Sequence, residues 1–416
     1  MKTNAVRIYG KNDLRLEEFE LPPLGDDEIL AKILTNSICM SDHKAALQGE
    51  DHKRVPDNVA ENPIIIGHEF CGELVEIGSK WQHRYSAGQK FTLQTALNKN
   101  NSMDAPGYSF PYIGGNATYV NIPNDVMDLN CLLTYNGDAF FSGSMSEPYS
   151  CIIGSFHANY HTKRGSYEYD MGIIEGGNLA LIAGAGPMGI GAIDYATHCD
   201  RKPGLIVVTD IDDSRLHVAS RLITVEEAAK NGVKLVYKNS TKAGELLALT
   251  DGRGYDDVFV YVPVASVIEL ADDILGRDGC LNFFAGPTDP MFKAPFNFYN
   301  VHYASTHIVG TTGGNTNDMA EALTMMENNL LDPATMISHI GGIDSAVDAI
   351  INLNKIPGGK KLIYTHISMP LTAIEDFDKQ NDPLFQALSE IIKSNNGLWC
   401  KDAENYLLEH SGSLQK

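Results

Sequence analysis

The sequence predicts an α/β fold: a β-rich amino-terminal region, then a doubly wound parallel sheet, then a short helical tail. Three patterns carry that expectation. Over residues 1–150, short Val/Ile/Leu/Phe runs alternate with Gly, Pro, Asn and Asp clusters, the spacing of a twisted, mostly antiparallel β domain. From residue 151 the order becomes apolar strand, turn and helix, repeated, which argues parallel strands buried on both faces. Near the end, Asp382-Pro383 offers an N-cap followed by proline at the first helical position, and Leu384, Leu388, Ile391 and Ile392 keep helical spacing.

Taken in order, Leu30–Leu34 and Ala117–Pro123 read as strands of the first domain, with a long polar Asn- and Gly-rich connection between them at 94–115. A connection of that length predicts a functional loop or an oligomer contact. Strands of the second region are expected at Leu179–Ala183, Leu205–Thr209, Val233–Tyr237, Val258–Val262, Cys280–Ala285 and His307–Gly310, with a helix over Arg215–Ile223. Beyond Gly313 come a helix near Met319–Glu327, an apolar helical stretch ending at Ile350–Leu353, and a strand at Lys361–Tyr364; Asp402 opens a last short helix.

Composition narrows the function classes. The 416-residue chain carries a net charge of −21, which disfavours nucleic-acid and anionic membrane partners because no stretch concentrates its basic residues. Seven scattered cysteines without a C-x-x-C pair suggest neither a disulfide framework nor a zinc ribbon, and with a charged amino terminus they point to a reducing, cytoplasmic setting.

Two constellations carry chemistry. Gly184-Ala185-Gly186-Pro187-Met188-Gly189 follows a strand and opens a helix, the context in which G-x-G-x-x-G binds a dinucleotide. Gly184 makes the turn, Gly186 admits the pyrophosphate, and Gly189 allows close packing, with the phosphates at the helix N-terminus. Asp210 ends the next strand, where its carboxylate accepts from a ribose diol and repels a 2′-phosphate, favouring NAD over NADP; Arg215 could offset it or pair with Asp212. The second constellation is Cys39 at the end of a strand, His68-Glu69 at a break between strands, and Glu147 where the β-rich region ends. Thiolate, imidazole and carboxylate suit a catalytic zinc with one position open.

Cys39 with Ser41, Gly67-His68-Glu69 with Gly72, Glu147-Pro148 and the glycine turn, in this order, resemble the zinc-dependent medium-chain alcohol and polyol dehydrogenases over roughly residues 1–366. The Cys39–Lys44 segment, the Ala105–Tyr112 loop and Tyr406-Leu407-Leu408 point within that family to its sugar-phosphate reductases. The resemblance implies a GroES-like catalytic domain at 1–150, completed by 314–366 and split around a Rossmann domain at 151–313, with 367–416 as an added helical extension. It implies one zinc held by Cys39, His68 and either Glu69 or Glu147, Asp210 and Arg215 as the ribose acid and base, Ser41 as proton relay with His43 as the next link, and a dimeric or tetrameric assembly. Many relatives carry a histidine where this chain has Lys44, and the four-cysteine structural zinc lobe is absent from 94–115.

The implied reaction is hydride transfer between NAD(H) and a keto or secondary-alcohol group of a sugar phosphate, with Lys44, Lys53 and Arg54 as the cations for the phosphate. An unphosphorylated polyol is the alternative substrate. A non-catalytic NAD-sensing scaffold is the alternative of another class.

Overall fold

Strand Ile29–Ile38 organises the first part of the molecule because neighbours from both ends of the chain pair with it: Glu69–Ile77 on one side and Lys360–Tyr364 on the other, both antiparallel. In this computed structural model, which describes residues 1–163 and 165–412, the chain divides into two units. The first comprises Met1–Glu147, Met319–Asn328 and Met336–Lys416; the second comprises Pro148–Asp318 and Asn329–Thr335.

In the first unit an eight-stranded sheet runs in the order Thr372–Ala373, Ile337–Gly342, Lys360–Tyr364, Ile29–Ile38, Glu69–Ile77, Lys90–Leu93 and Leu132–Thr134, with Tyr119–Ile122 also pairing with Ile29–Ile38. A smaller sheet joins Asp13–Glu20, Lys2–Gly10 and Ile64–Ile65. Ile29, Ala31 and Ile33 pack with Phe70, Leu74 and Phe91 in one core, while Ile38, Ala45, Ile64 and Ile363 lie in another. Apolar residues thus cover both faces of the central strand, and antiparallel partners on each side hold its register. That register sets Ser37 opposite Glu69 and Ile38 opposite Lys361. Three strand ends therefore meet: the one leading into Cys39, the one beginning at Glu69, and the one beginning at Lys360.

The second unit is built on six strands in the order Lys234–Lys238, Leu205–Thr209, Asn178–Ile182, Tyr255–Val260, Leu275–Phe283 and His307–Val309, every pair parallel. The order reverses between Asn178–Ile182 and Tyr255–Val260, a switch point of the kind beside which ligands bind in open α/β sheets.

Glu147-Pro148, read as the end of the β-rich region, is where the first unit gives way to the second along the chain, and this junction falls inside a 19-residue helix, Phe140–Ala158. The segment before it is apolar enough to bury, and seven residues of helix precede Glu147. In the tail the cap forms as read: Asp382 accepts from the Leu384 N–H at 2.8 Å and opens the helix Pro383–Ser394. Among the described residues no helix is long and apolar enough to cross a membrane.

Candidate active site

Cys39 is the N-cap of a short helix, Met40–Gln48, and His68 is the last residue before strand Glu69–Ile77. Gly67, at φ +109°, makes the turn that delivers His68, in a backbone conformation that side chains rarely adopt. Sγ of Cys39, a ring nitrogen of His68 and a carboxylate oxygen of Glu69 lie within 4.8 Å of one another. Glu147 is buried but stands outside this set of three, close enough for its charge to act on Lys360.

Each donor is held by a second group. Asp42, fully buried, accepts from His68 Nδ1 at 2.8 Å through one oxygen and from the Cys39 N–H at 2.9 Å through the other. A carboxylate on Nδ1 leaves Nε2 for a metal, the arrangement common behind zinc-bound histidines. Burial disfavours a charged His68, yet Asp42 and then Cys39 outweigh it and raise the imidazole pKa well above its ordinary value. A metal bound at this histidine would displace the imidazole proton. Glu69 Oε1 accepts from the buried Lys360 ammonium at 2.5 Å, while its Oε2 is buried with no partner. An orphaned carboxylate oxygen beside a thiol and an imidazole fits zinc, whose ligands come from these three groups. For Lys360, burial works against the charge, but Glu69, Cys39 and Glu147 together hold its pKa above the usual lysine value.

Ser41 donates to Cys39 Sγ at 3.1 Å and accepts from the Tyr108 hydroxyl at 2.7 Å. The Tyr108 ring packs 4.8 Å from His68 and its oxygen lies 3.3 Å from His68 Nε2. Burial, then the charges of Asp42 and Cys39, push its pKa well up, so the phenol keeps its proton. Ser41 and His43 are not brought together. Two residues apart on one helix they point to different sides, and His43 Nδ1 meets the Ile350 carbonyl at 2.8 Å instead.

Beside Tyr108 lies one of the predicted cations. The Arg54 guanidinium carbon is 5.3 Å from the Tyr108 ring centroid, and His52 stacks on the same ring at 5.7 Å. Ser109 Oγ donates to the Arg54 carbonyl at 2.7 Å, tying the 94–115 loop to this turn. Burial and the charges of Arg54 and Lys53 pull the His52 imidazole down to about 4, and Lys44 adds to the effect. Arg54 Nε is buried without a partner.

In the second unit, Gly186 caps the helix Pro187–His198. A Cβ on Gly189 would sit 2.0 Å from the Gly184 carbonyl, whereas one on Gly186 would meet nothing, so helix and turn pack tightly while the space above Gly186 stays open. Asp210 follows strand Leu205–Thr209 and accepts from the Asp212 N–H at 3.1 Å. Arg215 pairs with Asp212 at 3.7 Å, and Asp212, not Asp210, caps the next helix.

Asp42, Tyr108 and Lys360, which contact His68, Ser41 and Glu69, are positions that the motifs did not single out. Asp42 could have been found from its place three residues after an N-cap. Lys360 carried a signal too, as a lysine opening an apolar strand.

Fold and site define a class, and the chain belongs to it: the zinc-binding dehydrogenases, oxidoreductases of CH–OH groups linked to nicotinamide cofactors. Residues 187–328 match the zinc-binding dehydrogenase family and residues 25–129 the alcohol dehydrogenase GroES-like domain. The chain is 52% identical to mannitol-1-phosphate 5-dehydrogenase of Aliivibrio fischeri, across 98% of each sequence. It is 49% identical to L-sorbose 1-phosphate reductase of Klebsiella pneumoniae, across 99% of this chain and 98% of the relative. Among solved structures, 2R,3R-butanediol dehydrogenase from Bacillus subtilis shares the fold with a TM-score of 0.69 at 20% identity, over 87% of this chain and 99% of that one.

Proposed function

We propose that this chain is a zinc- and NAD-dependent sugar-phosphate oxidoreductase that reduces L-sorbose 1-phosphate, or a close ketose phosphate, to a hexitol phosphate. The observation that carries the reading is the cationic turn His52–Arg54 resting on Tyr108, whose hydroxyl touches Ser41 and His68. In a chain of net charge −21, the Arg54 guanidinium on Tyr108, with Lys53 and Lys44 near enough for their charges to act on His52, suits a dianionic substrate. Both relatives named above carry a 1-phosphorylated six-carbon substrate in their names.

Cys39, His68 and Glu69 would hold a single zinc, with Glu147 the alternative carboxylate. Bound there, zinc would supply a Lewis acid for the carbonyl, and NADH the hydride. The chain's own residues do the rest. Asp42 fixes the imidazole, Tyr108 and Ser41 form a two-hydroxyl path for the proton taken up by the substrate oxygen, and Lys44, Lys53 and Arg54 orient the phosphate. Asp210, and an Arg215 engaged by Asp212, support NAD over NADP.

NADH absorbance with L-sorbose 1-phosphate, fructose phosphates, sorbitol and threonine tests the substrate class. Arg54→Ala and Lys44→Ala are each expected to raise KM for the ketose phosphate about 10- to 100-fold, the effect of one lost charge-assisted hydrogen bond, with little change for an unphosphorylated polyol. Equal changes on both substrates would remove the phosphate role. A higher kcat/KM for sorbitol would favour the unphosphorylated reading instead.

A further inference from the structure

The tail contributes a buried carboxylate that joins two elements of the metal-donor region. Glu404 lies on the last helix, Lys401–His410, with 1% of its surface exposed. Its Oε2 accepts from the Phe140 N–H at 2.7 Å, and its Oε1 from the Phe141 N–H at 2.9 Å and the Tyr364 hydroxyl at 2.8 Å. Phe140 and Phe141 open the helix that carries Glu147 two turns further on. Tyr364 closes the strand that begins with Lys360, the partner of Glu69. One side chain, more than 250 residues away in sequence from the helix it caps, thus fixes both the helix bearing one candidate zinc carboxylate and the strand bearing the lysine that holds the other.

The neighbourhood strengthens the joint. Trp399 Nε1 donates to the Tyr364 hydroxyl at 2.8 Å, and Lys401 pairs with Asp138 at 2.9 Å just ahead of the helix. Thr35 Oγ1 donates to the Phe140 carbonyl at 3.0 Å, linking the helix start to the strand that leads into Cys39. Free N–H groups at a helix start favour an anion, and a buried carboxylate satisfies two of them at once. Burial pushes the Glu404 pKa up to about 7, while its hydrogen bonds from Tyr364, Phe140 and Phe141 act the other way.

We propose that Glu404 is a positioning residue for the metal site, setting the placement of Glu147 and of the Lys360–Glu69 pair, so that the carboxy-terminal extension is a working part of that site. This rests on the reading of Cys39, His68 and Glu69 as the zinc ligands.

Cobalt(II) substitution of the full-length protein tests it, read by the ligand-field and thiolate charge-transfer bands and by the rate at which a chelator strips the metal. Glu404→Gln keeps the shape but turns an amide N–H₂ toward a backbone donor. It is expected to shift the cobalt spectrum and speed metal loss up to about tenfold, less than the loss of a group bonded directly to a ligand. Leu388→Ala, at a buried position of the helix Pro383–Ser394 outside the joint, loosens the tail without touching the helix start or Tyr364, and is expected to lower the melting temperature while leaving the spectrum as in wild type. Tyr364→Phe cuts only the strand side of the joint and serves in place of Glu404→Gln should that variant not fold, with a spectral shift expected again. If wild-type protein takes up no cobalt, the metal-site reading itself fails. If wild type loads, and the folded Glu404 or Tyr364 variant lowers only the melting temperature, with spectrum and stripping rate unchanged, Glu404 is an anchor and the proposal falls.

Discussion

The metal-donor group and the dinucleotide turn are built on opposite plans. At the turn, backbone does the work: Gly184, Gly186 and Gly189 lie within six consecutive residues, and what matters is the absence of side chains there. The metal-donor group is made of side chains gathered from separate strand ends, each held by a partner from elsewhere: Asp42 on His68, Lys360 on Glu69, Tyr108 on Ser41. A site of the first kind is damaged by adding atoms. One of the second kind is damaged by removing them.

That contrast sets the order of expected effects. His68→Ala should abolish zinc retention and lower kcat/KM by about 1,000-fold or more, since a bound metal supplies several kcal/mol and each 1.4 kcal/mol is a factor of ten. NADH binding, followed by fluorescence, should survive; its loss would mean that the two sites are not built independently. Gly189→Ala is the mirror experiment. A methyl 2.0 Å from a backbone carbonyl must displace the helix, and NADH affinity should fall on the order of tenfold or more with zinc content unchanged. Asp42→Asn should weaken zinc by about 10-fold and at most 100-fold, well short of losing a ligand, because the ligands are all present. An unchanged zinc affinity would show that the Cys39–Asp42–His68 bridge is packing only.

The same contrast explains what could be read from the sequence. The glycine turn was legible in full because its function is written in one contiguous stretch, and the alternation of strands and helices gave the parallel sheet around it. Cys39, His68 and Glu69 were legible as residues of the right chemistry at strand ends, but their supports were not. Asp42 looks like any acid in a first helical turn, Tyr108 lies in a loop with no periodicity, and Lys360 reaches Glu69 only through the pairing of strands 291 residues apart. The direct Ser41–His43 link expected from their closeness in sequence does not form, for a different reason. Neighbours in sequence are not neighbours on a helix, and the 3.6-residue period turned His43 toward Ile350. Glu147 was read as the edge of the β-rich region and the chain does divide there, but the helix that runs through Pro148 was not legible. The tail's capping residues were visible locally at Asp382, whereas Glu404 caps a helix that no local pattern could indicate.

Zinc content of Glu69→Gln and Glu147→Gln, purified beside wild type, tests the central claim most directly. Because Glu69 belongs to the close-set group with Cys39 and His68 and has an unpartnered buried oxygen, wild type should hold one zinc per chain, Glu147→Gln should keep it, and Glu69→Gln should lose it. Wild-type protein without zinc, or the opposite pattern between the two variants, would contradict the assignment.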